Sequence, residues 1–204
     1  MPSRWALIRG KLEERQRAGE AIPADIAFML RPDNFSILVF SGAPEIMPWL
    51  QQLNYRPLQF GKMSRAFEEV FDYVSSDEEA RDVVRKAVYQ VPGFTILMDP
   101  EQVLIVNNSL AALCSSQGTR AMCVLWERWS ETVMARDVLP SGEDRQIHLE
   151  KGKKVSARGA WPELKESATP DDLRSFLGTC GVPVAAVFGD VSATVYRLQE
   201  IPAS

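Results

Sequence analysis

The chain has 204 residues, 46% of them hydrophobic and 25% charged, and its 23 Lys and Arg against 27 Asp and Glu give a net charge of -4. These proportions belong to a globular chain long enough for a substantial core, and they exclude a disordered, collagen-like or disulfide-stapled one. The mild acidity argues against a nucleic-acid-binding surface, which carries an excess of basic side chains.

The longest apolar stretches, residues 121–126 and 182–188, fall far short of the roughly 20 residues of a membrane-spanning helix. Residues 1–17 lead into charges at Lys11, Glu13, Glu14, Arg15 and Arg17 rather than into the apolar core of a signal peptide, so the expected compartment is the cytoplasm. Cys114, Cys123 and Cys180 form no C-x-x-C pair and sit in apolar stretches, as reduced core thiols do. With His148 as the one histidine, no zinc site is expected, and no cofactor motif is present.

In chain order, residues 5–18 and 24–30 read as helices, the second closed by Arg31-Pro32. Residues 35–40, an apolar run between Asp33-Asn34 and Ser41-Gly42, read as a buried strand. Ile46, Trp49, Leu50 and Leu53 then follow Pro44 at helical spacing. The turn between them has one glycine and no lysine, so it is neither a phosphate loop nor a dinucleotide fingerprint. Residues 63–74 fit a helix, although 70–74 alone suits a strand. Residues 77–89 read as the clearest helix, with overlapping capping boxes in Ser75-Ser76-Asp77-Glu78-Glu79 and an apolar face of Ala80, Val83, Val84, Ala87 and Val88.

Beyond Pro92-Gly93 the pattern changes to short β-rich runs at 94–98, 103–106, 121–130, 132–139, 145–150 and 155–158. Their joints are turn chemistry, which predicts hairpins in an antiparallel meander. Helices are expected at 108–116 and at 170–177, the latter with Thr169 as cap, Pro170 at the first position and Gly178 as stop. A final hairpin is expected from 185–188 and 192–198. The resulting fold class is α+β, mainly antiparallel sheet packed by several amphipathic helices. It is read as one domain over 1–204, with a subdomain division near residue 92 as the alternative.

No motif names a reaction. His148 has no G-x-S-x-G elbow or triad partner nearby in sequence. The acidic runs Asp77-Glu78-Glu79 and Asp99-Pro100-Glu101 are explained by helix starts and turns. The sharpest constellation is Trp126, Glu127, Arg128, Trp129 and Glu131. A rigid aromatic flanked by opposite charges is the composition of an interaction hot spot. Lys151, Lys153 and Lys154 make a basic hairpin tip suited to an acidic partner, or to guarding a strand edge.

The charge lies in blocks. Residues 61–90 carry five basic and seven acidic groups, 121–150 three and six, and 151–180 six and four. The reading that follows is a non-enzymatic cytoplasmic protein that binds another protein, such as a bacterial accessory or toxin-neutralising protein. The alternatives are an enzyme with a carboxylate or cysteine site assembled from distant residues, and a self-associating module forming a homodimer.

Overall fold

The computed structural model describes residues 34–76 and 83–201. The helices expected at 5–18 and 24–30, and residues 77–82, lie outside the described residues. Among the described residues the strands are β1 Phe35–Ser41, β2 Tyr55–Ala66, β3 Val83–Val91, β4 Phe94–Met98, β5 Ala121–Glu127, β6 Thr132–Val138, β7 Asp144–Glu150, β8 Lys153–Arg158 and β9 Asp190–Glu200. The helices are α1 Ile46–Gln52, α2 Phe67–Val74, α3 Ser109–Gln117, α4 Pro170–Thr179 and the single turn α5 Val184–Val187. The fold is α+β and mostly sheet.

All nine strands join one antiparallel sheet in the order β2-β9-β3-β4-β1-β5-β6-β7-β8. Pro92-Gly93 is the turn of the β3–β4 hairpin, so strands on either side of it share the sheet. β1 lies between β4 and β5 with six of its seven residues buried. Its unbroken apolar run follows from that position, because a strand covered on both faces cannot alternate apolar with polar.

On one face Phe35, Ile37 and Val39 pack with Phe67, Val70 and Phe71 of α2, Phe176 and Leu177 of α4, and Trp161. On the other, Leu38 and Phe40 pack with Trp49 and Leu50 of α1, Leu110 and Leu113 of α3, and Leu104 and Ile105. Trp49 Nε1 donates to Ser109 Oγ at 2.8 Å, tying α1 to α3, and Tyr89 Oη donates to the Val187 carbonyl at 2.8 Å, tying β3 to α5. α4 begins at the expected Thr169, whose hydroxyl accepts the Asp172 amide while the Asp172 carboxylate accepts the Thr169 amide.

Three expectations are corrected. The helix expected at 77–89 is strand β3 from Val83 onward. Its β-branched valines sit well on a pleated surface, and the serines that resembled a helix start close α2 instead, Ser75 Oγ donating to the Phe71 carbonyl at 2.6 Å. The expected strand at 103–106 is a turn, because the Asp99 carboxylate captures the Leu104 amide at 2.7 Å. The expected hairpin at 185–198 does not form: 184–187 is α5, and β9 pairs with β2 and β3. Smaller shifts follow from the same local chemistry. α4 runs through Gly178 to Thr179, and the β5 run ends at Glu127. Residues 63–74 divide at Ala66 between β2 and α2.

Two buried cations hold the loop between β4 and α3. Lys86 of β3 donates to Asp99 and Glu101. Burial alone would push Lys86 down, but the Asp99 and Glu101 carboxylates outweigh it and hold its ammonium above the ordinary lysine value. Arg136 of β6, 1% exposed, donates to the carbonyls of Ile105 and Asn107 at 2.9 and 2.8 Å and forks onto Asp144 at 3.1 and 2.8 Å. Arg136→Ala takes the donor from the Ile105 carbonyl and leaves the Asn107 carbonyl to the Leu110 amide at 3.3 Å, and breaking a buried ionic contact of this kind costs about 3–5 kcal/mol. Urea unfolding is expected to show that loss; a change under about 1 kcal/mol, the scale of an exposed pair, would mean that the loop does not depend on Arg136.

Candidate partner-binding site

The two stretches singled out in the sequence meet at one end of the sheet. β5 and β6 are joined by a tight turn in which Glu131 takes a φ of +49° and donates its amide to the Arg128 carbonyl at 3.2 Å. β7 and β8 are joined by Lys151 and Gly152 with φ of +50° and +69°. That pair of positive values suits the tight hairpin turn that matches strand twist, and glycine takes the second position without a Cβ penalty. Because β6 pairs with β7, Thr132 opposite Glu150, the two turns lie side by side, and the Lys151 amide donates to the Glu131 carbonyl at 3.1 Å.

Trp129 stands 58% exposed at this end. Trp126 is half-buried against the core of the α2 and α4 face, and its Nε1 has no hydrogen-bond partner among the described residues. Arg128 donates its amide to Asn34 Oδ1 at 2.9 Å, fixing the turn against the start of β1. Glu127 Oε2 accepts Ser130 Oγ at 2.6 Å, so this carboxylate braces the turn, while Glu131 is exposed. Lys151, Lys153 and Lys154 are exposed and form no salt bridge among the described residues.

Beside β8 lies a cavity of about 330 Å³ lined by Ile147, Leu149, Lys154, Ala157, Trp161 and Leu164. Lys165 and Glu166 also line it, so its wall is partly charged, and Lys154 stands at the lysine-bearing turn. Trp161 Nε1 likewise has no hydrogen-bond partner among the described residues. β8 is the sheet's outer strand and all six of its residues are exposed. A register shift between His148 and Leu149 kinks its pairing. Lysines together with a bulge are what keep such an edge from pairing with its own copies.

The charge blocks do not stay apart. Asp137 accepts Arg120 at 2.7 and 2.9 Å and Arg145 at 3.1 Å, and Arg145 also donates to Glu163 at 3.0 Å. Asp144 accepts Arg158 as well as Arg136. Aspartates of the acidic 121–150 block are thus neutralised partly by Arg136 and Arg145 of their own block and partly by Arg120 and Arg158 outside it. The lysines of the β7–β8 turn form no salt bridge among the described residues.

Sequence reasoning passed over Lys86 and Arg136, whose signal was a charge set inside an apolar β-rich run, and read Asp99 only as part of a turn. It also passed over Phe60, 71% exposed on the outer strand β2, because residues 55–62 carry no clear period. His148 turns to the face opposite Ile147 and Leu149, as expected from alternation, and its Nε2 lies 3.3 Å from a Glu150 oxygen. No group of three or more His, Cys, Asp or Glu among the described residues is placed to hold a metal ion. No family model, curated protein or solved structure matches the chain.

Burial pushes the Cys114 thiol up to about 11 and the Cys123 thiol well above its ordinary value. Cys180 is half-buried, with Arg120 Nη2 donating to its Sγ at 3.2 Å. A thiol reacts through its thiolate and only where a reagent reaches it. In the native protein at pH 8, Ellman's reagent is expected to titrate Cys180 alone, and all three thiols after denaturation. Rapid native reaction at Cys114 or Cys123 would contradict the core packing around α3 and β5.

Proposed function

We propose that the protein acts in the cytoplasm by binding another protein, as a non-enzymatic accessory or toxin-neutralising factor, through the sheet end formed by the β5–β6 and β7–β8 turns. One observation supports this reading above the rest: strand pairing brings an exposed tryptophan, Trp129, beside three lysines that no carboxylate among the described residues engages. A large rigid aromatic supplies contact area at small entropic cost, and unpaired lysines steer and select an acidic partner surface. The turns are tied to each other by the Lys151 amide on the Glu131 carbonyl and to the residue before β1 by the Arg128 amide on Asn34 Oδ1, so the surface is held before a partner arrives.

Trp129→Ala and the charge reversal Lys153→Glu/Lys154→Glu test it in affinity capture from lysate of the native host. Each variant is expected to weaken capture of the partner by roughly thirty-fold, the scale of a 2 kcal/mol hot spot, with little change in melting temperature. Capture that is unchanged in both variants would overturn the assignment of this surface.

A second reading, self-association, is favoured by Phe60 and Leu58, both exposed on the open edge strand β2. Long exposed apolar edges are templates for strand pairing. A solution mass of one 22.8 kDa chain would count against it.

A further inference from the structure

Lys86 and Asp99 face each other with both side chains fully buried. They lie one residue past the cross-strand pair Ala87 and Met98 of the β3–β4 hairpin. Lys86 Nζ donates to Oδ1 of Asp99 and to Oε2 of Glu101. The second Asp99 oxygen, Oδ2, accepts the Leu104 backbone amide at 2.7 Å. The Tyr55 ring, 6.0 Å from Nζ, borders the site, and the Glu101 side chain, 32% exposed, forms its link to solvent.

An amine, a carboxyl group, a second carboxylate touching the amine and a backbone N–H on the carboxyl oxygen are the components of an amide-forming centre. We propose that Lys86 and Asp99 condense within the folded chain to a side-chain amide, with Glu101 as the proton carrier. A proton first passes from Nζ to Oδ1 along their hydrogen bond. This gives a neutral amine and a neutral carboxylic acid without changing the proton count of the triad; the charged pair is the resting form and the neutral pair the reactive one. The Nζ lone pair then attacks Cγ. The C–N bond forms, and the carbonyl electron pair moves onto Oδ2, where the Leu104 N–H meets the developing charge.

Glu101 takes a proton from the nitrogen and delivers it to the Oδ1 hydroxyl. The carbonyl re-forms, the C–O bond breaks, one water leaves towards solvent, and the Glu101 carboxylate is restored. The overall change joins an ammonium and a carboxylate into an amide and water, with no oxidant, reductant or cofactor. Fixing the two groups in contact supplies the proximity that makes such a condensation intramolecular. The product is a covalent tie between β3 and the first residue of the β4–α3 loop.

The test is the intact mass of the full chain, purified natively and then denatured. It is expected to fall about 18 Da, one water, below the sequence mass. Tandem mass spectrometry of a digest should then find a branched peptide joining Lys86 to Asp99. Glu101→Gln is expected to restore the full mass while remaining folded by circular dichroism. A wild-type chain of full mass, or a deficit without the branched peptide, overturns the proposal. A branched peptide that persists in Glu101→Gln removes Glu101 as proton carrier.

Discussion

The loop between β4 and α3 crosses a buried face of the sheet, and the fold depends on satisfying its backbone there. A loop normally runs over the surface because its amides and carbonyls would otherwise lack partners. Here the sheet supplies them. Asp99 accepts the Leu104 amide, and Arg136 covers the carbonyls of Ile105 and Asn107. Those two charges need counter-charges in turn, which Lys86 and Asp144 provide. With the loop held down, Leu104 and Ile105 join the core beneath α1 and α3.

The same sheet creates the candidate surface. Residues 126–131 and 151–154 are distant in sequence, and they become neighbours only because β6 and β7 pair in a register that sets Thr132 against Glu150. The turns add the local constraints: positive φ at Glu131, Lys151 and Gly152, and the bond from the Lys151 amide to the Glu131 carbonyl. Chemistry carried by Trp129 and the lysines is therefore mounted on the rigid part of the molecule, while most aspartate and arginine charges nearby are consumed in pairs.

What was legible in the sequence follows from the range of the forces involved. β1 and α4 could be read because their signals are local: an apolar run between turn residues, and a Thr169 to Asp172 capping box. β3 was misread because Val83, Val84, Ala87 and Val88 fit a helical stripe as well as they fit two faces of a strand. The deciding fact, an inward Lys86 paired with Asp99, lies across a hairpin. The short run at 184–187 has the same ambiguity, and pairing of β9 with β2 and β3 left it no strand neighbour. The hot-spot residues were legible as composition. Their meeting was not, since register is a tertiary property.

Amide hydrogen exchange resolved by residue tests the dependence of the fold on the buried loop most directly. Protection reports the free energy of the opening that exposes each amide. If Asp99, Lys86 and Arg136 hold the β4–α3 loop as part of the core, the Leu104 amide exchanges as slowly as the amides of β1, and far more slowly than those of the exposed strand β8. A Leu104 amide that exchanges at the rate of a surface loop, while β1 remains protected, would contradict the account.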